Sequence, residues 1–117
     1  MQPILKLTDE TPGKPARAVV LGANGFIGGA VLRALRAAGV ESAALGRPGL
    51  DLLRPEAAQQ LAATLRAEDT LVFVSAKAPV KNSEMLLENL TMARAVCAAL
   101  QRRPVSHVIY VLSLIHI

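Results

Sequence analysis

Ala18-Val19-Val20-Leu21-Gly22-Ala23-Asn24-Gly25-Phe26-Ile27-Gly28 is the stretch that decides how this chain folds. An apolar run of strand character leads into three glycines spaced Gly-x-x-Gly-x-x-Gly. Ile27, Val31, Leu32, Leu35 and Ala38 then repeat at helical spacing, and Gly39 follows as a helix-ending C′ residue. Strand, glycine turn and helix in that order build a phosphate site. Gly22 lets the chain turn sharply out of the strand, Gly25 lets backbone approach an anion, and Gly28 lets the helix pack closely on the strand. The amides of the first helical turn, at the positive end of the helix dipole, then face that anion. A dinucleotide's diphosphate suits this geometry. A tight β–α turn without a ligand is the alternative.

Working outward, strand-like and helix-like segments alternate. Strands are expected at Arg17–Leu21, Val40–Leu45, Leu50–Leu52, Thr70–Val74 and Val105–Leu112. Helices are expected at Phe26–Ala38, from Pro55 to about Arg66, and from a cap at Asn82 or Ser83 to Arg102, before Pro104. Thr70-Leu71-Val72-Phe73-Val74 is continuously apolar after its first residue, as a parallel strand covered on both faces requires. The expectation is an α/β fold of Rossmann type. Its parallel sheet is flanked by helices and incomplete, with about five strands in the order 3-2-1-4-5 and a ligand at the switch point between strands 1 and 4.

Composition bounds the rest. The 117 residues suffice for one domain with one core. The net charge of +4 comes from scattered arginines, and only three aromatic residues are present (Phe26, Phe73, Tyr110). A nucleic-acid partner would need a basic stripe and stacking residues, so none is expected. The single cysteine, Cys97, excludes an internal disulfide and suits the reducing cytoplasm. It falls on a stripe with Leu86, Leu90, Ala93 and Leu100, which places it in the core. No spacing of ligand residues suggests a metal. Residues 1–15, with Pro3, Pro12 and mixed charges, read as a flexible leader without a signal peptide. The apolar tail Val105–Ile117 is too short to span a bilayer, so no membrane partner is expected.

The run VVLGANGFIGGAVLRAL resembles the opening of the extended short-chain dehydrogenases/reductases, the NAD(P)-dependent epimerase/dehydratase family. The resemblance covers roughly residues 16 to 113, the NAD(P)-binding domain, and its most specific part is Gly-Ala-Asn-Gly-Phe-Ile-Gly. It implies cofactor contacts from Gly22, Asn24, Gly25, Phe26, Ile27 and Gly28. In dinucleotide folds an acid at the end of the second strand binds the ribose 2′-OH of NAD, whereas an arginine accommodates the 2′-phosphate of NADP. The acid's place falls at Gly46, and Arg47 follows. NADP is therefore favoured over NAD, unless Arg47 is only a solvent-facing loop residue beside Pro48 and Gly49. The resemblance further implies that Asp51 and Leu52 receive the adenine, although Asp51 could instead favour the positive end of the next helix. Ser75 and Ala76 would pass the nicotinamide-side phosphates and ribose, Lys77 would meet phosphate or substrate charge or is a solvated loop lysine, and Asn89 would brace the active site or simply occupy a polar helix position.

The family's chemistry is hydride transfer on a nucleotide sugar or a similar carbonyl or hydroxyl substrate. A Tyr-x-x-x-Lys pair serves as acid/base and a serine binds the same substrate oxygen. Ser113 aligns with that serine. The pair itself is absent: Tyr110 lies inside the last expected strand, with Leu114 four residues on. Residues 114–117 are apolar where a polar loop is expected, and read as a foreign tail on an interrupted frame or as a strand extension. The chain thus reads as the inactive cofactor-binding fragment of an NADP-preferring, cytoplasmic enzyme, with a homodimer as its implied assembly. A non-catalytic NADP sensor or scaffold of the same fold is the alternative.

Overall fold

Four short segments of the chain pair into one parallel sheet, because each is too short to be stable alone. The computed structural model describes residues 14–47, 49–74 and 81–111. Its elements in chain order are β1 (Arg17–Leu21), α1 (Phe26–Ala37), β2 (Ser42–Leu45), α2 (Ala57–Thr64), β3 (Asp69–Phe73), α3 (Ser83–Arg102) and β4 (His107–Tyr110). The sheet order is β2-β1-β3-β4, with every neighbouring pair parallel. From β1 the chain steps one way to β2, then returns past β1 to β3 and on to β4. Right-handed crossovers put the helices of opposite steps on opposite faces. Accordingly α1 packs on β1 and β2, while α2 packs against α3.

The core lies between the sheet and the α2/α3 layer. Val19, Leu21, Leu71 and Phe73 project into it from the strands and meet Leu61, Leu65, Met92, Val96 and Ala99. Leu61 and Leu71 are fully buried, each contributing about 1.5–3 kcal/mol by leaving water. All five residues of both β1 and β3 are buried, as central strands covered on two faces must be. β4 is one of the two edge strands, and Val108, Ile109 and Tyr110 are all exposed. Tyr110 stacks on its cross-strand neighbour Phe73, with ring centroids 4.8 Å apart.

Several element ends follow directly from sequence chemistry. α1 closes in a Schellman motif: Gly39 takes φ +79°, its N–H donates to Arg36 O, and the Val40 N–H donates to Leu35 O. The Asn82 side chain caps α3 by accepting from the Met85 N–H at 2.9 Å. At the head of α1, Gly28 meets the strand turn so closely that a Cβ there would stand 1.9 Å from Gly22 O. Only glycine fits.

Three expectations are corrected. Leu50–Leu52 is not a strand. The Leu50 N–H donates to Gly46 O, the Leu53 N–H to the Asp51 carboxylate and the Arg54 N–H to Asp51 O, so these backbone groups are committed to turns. Leu50 and Leu52 enter the core as plugs beneath those turns, and the sheet has four strands among the described residues. Second, α2 starts at Ala57, and Pro55 sits in the preceding turn. Third, Cys97 is exposed and Leu86 and Leu90 are half-exposed or more. The buried face of α3 is Met92, Val96 and Ala99, with Ala93 and Leu100 partly covered. This helix is apolar on more than one face, and α2 selects which face is buried.

A buried ion pair closes the end of the sheet opposite the glycine turn. Arg17 and Asp69 are register partners at the first positions of β1 and β3. Arg17 Nε donates to Asp69 Oδ1 at 2.8 Å and Nη2 to Oδ2 at 2.6 Å, while Nη2 also reaches Thr64 O at the end of α2. The Arg66 N–H donates to the same carboxylate at 2.7 Å. Burial pushes the Asp69 carboxyl up, but the Arg17 hydrogen bonds, the Arg66 N–H and both positive charges outweigh it and hold the group below the usual carboxylate range.

Two outcomes are expected in urea denaturation of the 117-residue chain. Asp69→Asn should cost about 3–5 kcal/mol, because it leaves the Arg17 charge buried without its partner. An unchanged midpoint would remove the pair from the account. Because the folded pKa of Asp69 is depressed, its contribution is complete above the ordinary carboxylate pKa. It drains away as pH falls below that value, and Asp69→Asn should flatten this part of the acid slope. Gly28→Ala should cost at least about 1–3 kcal/mol by forcing α1 off β1, and wild-type stability would contradict the close approach.

Candidate functional site

The turn between β1 and α1 leaves backbone donors at the head of the helix without a cap. Gly22 adopts φ +84°, which only glycine takes without strain, and its N–H donates to Leu45 O, tying the turn to β2. The Gly25 N–H donates back to Gly22 O at 3.1 Å. Gly25 is the N-cap of α1 in an extended conformation, with no side-chain cap and no acid in the first turn. The first helical bond is Gly29 N–H to Gly25 O at 2.8 Å. The amides of Phe26, Ile27 and Gly28 precede it, so they lack intrahelical acceptors and add to the positive end of the dipole. Gly25 differs from Gly28 in what requires it. A Cβ at Gly25 would make only an ordinary 3.5 Å contact with Gly22 O. The chain's own packing does not demand glycine there, and the space it leaves opens on the helix mouth.

This turn forms one wall of a cavity of about 340 Å³ at the switch point of the sheet. Gly22, Asn24 and Gly25 line it from the first turn, Gly46 and Arg47 from the end of β2, and Asp51 and Leu52 from the turns that follow. Leu50, Leu53, Val74 and Met92 supply an apolar lining. Arg47 is exposed and its guanidinium makes no hydrogen bond or ion pair with a described residue. One oxygen of Asp51 accepts the Leu53 N–H at 3.0 Å. This carboxylate therefore caps its own turn, five residues ahead of the Glu56 N-cap of α2, and does not serve that helix.

The structure thus brings six of the residues expected from sequence to one cavity, Gly22, Asn24, Gly25, Arg47, Asp51 and Leu52, while Gly28 packs against the Gly22 carbonyl behind it. Phe26 and Ile27 stand at the helix mouth with side chains turned outward, Phe26 being 89% exposed. Ser75, Ala76, Lys77 and Ser113 lie outside the described residues, as do Pro48, the leader 1–13 and the tail 112–117. Leu50, Leu53, Val74 and Met92 were not anticipated. The signal for Met92 was its i, i+4, i+7 spacing with Val96 and Ala99.

Chemically, the cavity offers uncapped amides for a diphosphate, a cationic fork for a further anion and apolar walls for a flat ring. These residues fit a dinucleotide. Among the described residues no three His, Cys, Asp or Glu side chains could hold a metal ion, and no helix is long and apolar enough to cross a membrane.

Comparison with known proteins gives the family and the fold. The sequence profile of the NAD dependent epimerase/dehydratase family matches residues 18–114. The fold is similar to that of a GDP-L-fucose synthetase from Naegleria fowleri, solved bound to NADP, with a TM-score of 0.66 and 18% identity. The match covers 86% of this chain and 31% of that one, so these residues span about a third of that protein's length. At this identity the likeness establishes the fold. A search of the curated proteins gives no match. With the glycine turn, the strand order and the profile match in agreement, the chain belongs to the NAD dependent epimerase/dehydratase family.

Proposed function

We propose that these residues form the cofactor-binding part of an NADP-preferring oxidoreductase, epimerase or dehydratase. Its substrate class is a nucleotide sugar or a similar carbonyl or hydroxyl compound. The carrying observation is that the glycine turn, Arg47 and Asp51 line one cavity. In this reading the amides of residues 26–28 hold the diphosphate. Arg47 meets the 2′-phosphate, the free oxygen of Asp51 accepts from the adenine amino group, and Leu50 and Leu52 flank that ring. Ser75, Ala76 and Lys77 follow β3 in sequence and would continue along the nicotinamide side. The cofactor supplies a hydride acceptor and donor, and the chain's own groups bind and orient it. The NADP carried by the fucose synthetase supports the choice of cofactor, as does the absence of an acid at Gly46.

Ser113 is proposed to bind the reacting substrate oxygen in the whole protein. The Tyr-x-x-x-Lys pair that would move the proton is not among these 117 residues, so the chain alone is expected to bind cofactor without turning over substrate.

Calorimetric titration of the 117-residue chain tests the reading. NADPH should bind more tightly than NADH. Arg47→Asp should shift that ratio toward NADH by roughly tenfold or more, the worth of one charge-assisted hydrogen bond. Binding of neither cofactor would overturn the proposal, and an unchanged ratio would remove Arg47 from it.

A further inference from the structure

The Arg47 side chain is held by nothing among the described residues, yet the backbone carrying it is fixed from two directions. Gly46 O accepts the Leu50 N–H at 2.9 Å, and Arg47 O accepts from Asn24 Nδ2 at 3.0 Å. The second bond spans 23 residues and joins the glycine turn to the end of β2. The same amide also fills the space beside Gly46. A Cβ on Gly46 would stand 3.1 Å from Asn24 Nδ2 and 3.7 Å from its Cγ. Gly46 does not have positive φ, so its backbone would accept a side chain. A side chain there would press on the Asn24 amide, which would have to give by a few tenths of an ångström.

We propose that Asn24 is the positioning residue for cofactor choice in this chain, working as a latch between the two turns. It does so in two ways. It holds the 46–47 backbone so that the arginine fork is presented to the cavity, and it crowds the place where an acid would otherwise receive an unphosphorylated ribose. Positions 24 and 46 therefore form one coupled unit. A side chain at 46 presses on the amide and loosens its hold on Arg47 O, so the arginine loses its placement as the acid's space is gained. This inference rests on the reading that the cavity takes a nicotinamide dinucleotide.

The test is a double-mutant cycle on the 117-residue chain, with NADPH and NADH titrated separately against wild type, Asn24→Ala, Gly46→Ala and the double variant. Asn24→Ala should weaken NADPH more than NADH, lowering the affinity ratio by roughly two- to tenfold, the range of one hydrogen bond. Gly46→Ala should lower the ratio similarly, and the double variant should lose no more than either single change. Asn24→Ser, too short to reach Arg47 O, should behave as Asn24→Ala and serves if the alanine variant does not fold. Equal weakening of both cofactors, or single effects that add in the double variant, would overturn the latch while leaving the cofactor reading intact. Wild-type chain that binds neither cofactor would overturn both.

Discussion

The site depends on one close approach. The carbonyl of Gly22 lies where a side chain at position 28 would begin, so α1 can press its first turn onto the end of β1. That contact aims the uncapped amides of residues 26–28 at the crevice where the sheet reverses direction. A bulkier residue at 28 would lift the helix, and the dipole would point past the cavity. The other features of the site attach to this frame. Gly22 N–H binds Leu45 O, which places the end of β2 beside the turn, and Asn24 binds Arg47 O one step further on.

The opposite end of the sheet is built on different physics. There, Arg17 and Asp69 pair in a buried setting, and the same two side chains gather the last turn of α2 and the Arg66 amide. Asp69 O also accepts the Ser106 N–H at the approach to β4. A buried pair of this kind gives little net stability over apolar replacements, but it penalises any other register of β1 against β3. Register at that end sets where Leu21 and Phe73 finish at the other, and so where the cavity opens. One end of the sheet fixes alignment and leaves the other free to expose backbone amides to a ligand.

Much of this was legible in the residues themselves. The glycine spacing between an apolar run and an amphipathic helix specifies the turn. Continuous apolar runs specify buried parallel strands, and Gly39 and Asn82 mark helix ends by local chemistry. What was not legible depends on partners distant in sequence. Leu50–Leu52 alternates like a strand, but the Asp51 carboxylate offers its backbone a turn instead. The α3 helix carries leucines and alanines on several faces, and only the position of α2 decides that Met92, Val96 and Ala99 go inside while Cys97 stays out. Arg17 and Asp69 are 52 residues apart, and no periodicity connects them. Their one shared mark is a charge opening an otherwise apolar strand. The bond between Asn24 and Arg47 is hidden for the same reason.

The claim beneath the rest is that the amides around residues 22–28 receive a diphosphate. The most direct measurement is an amide-resolved NMR titration of the 117-residue chain with NADPH. The account requires the largest changes at Phe26, Ile27 and Gly28, whose amides have no acceptor within the helix, with a second group at Arg47 and Asp51. Saturable binding that leaves those amides unmoved, with changes gathered instead on the α2/α3 face, would contradict it.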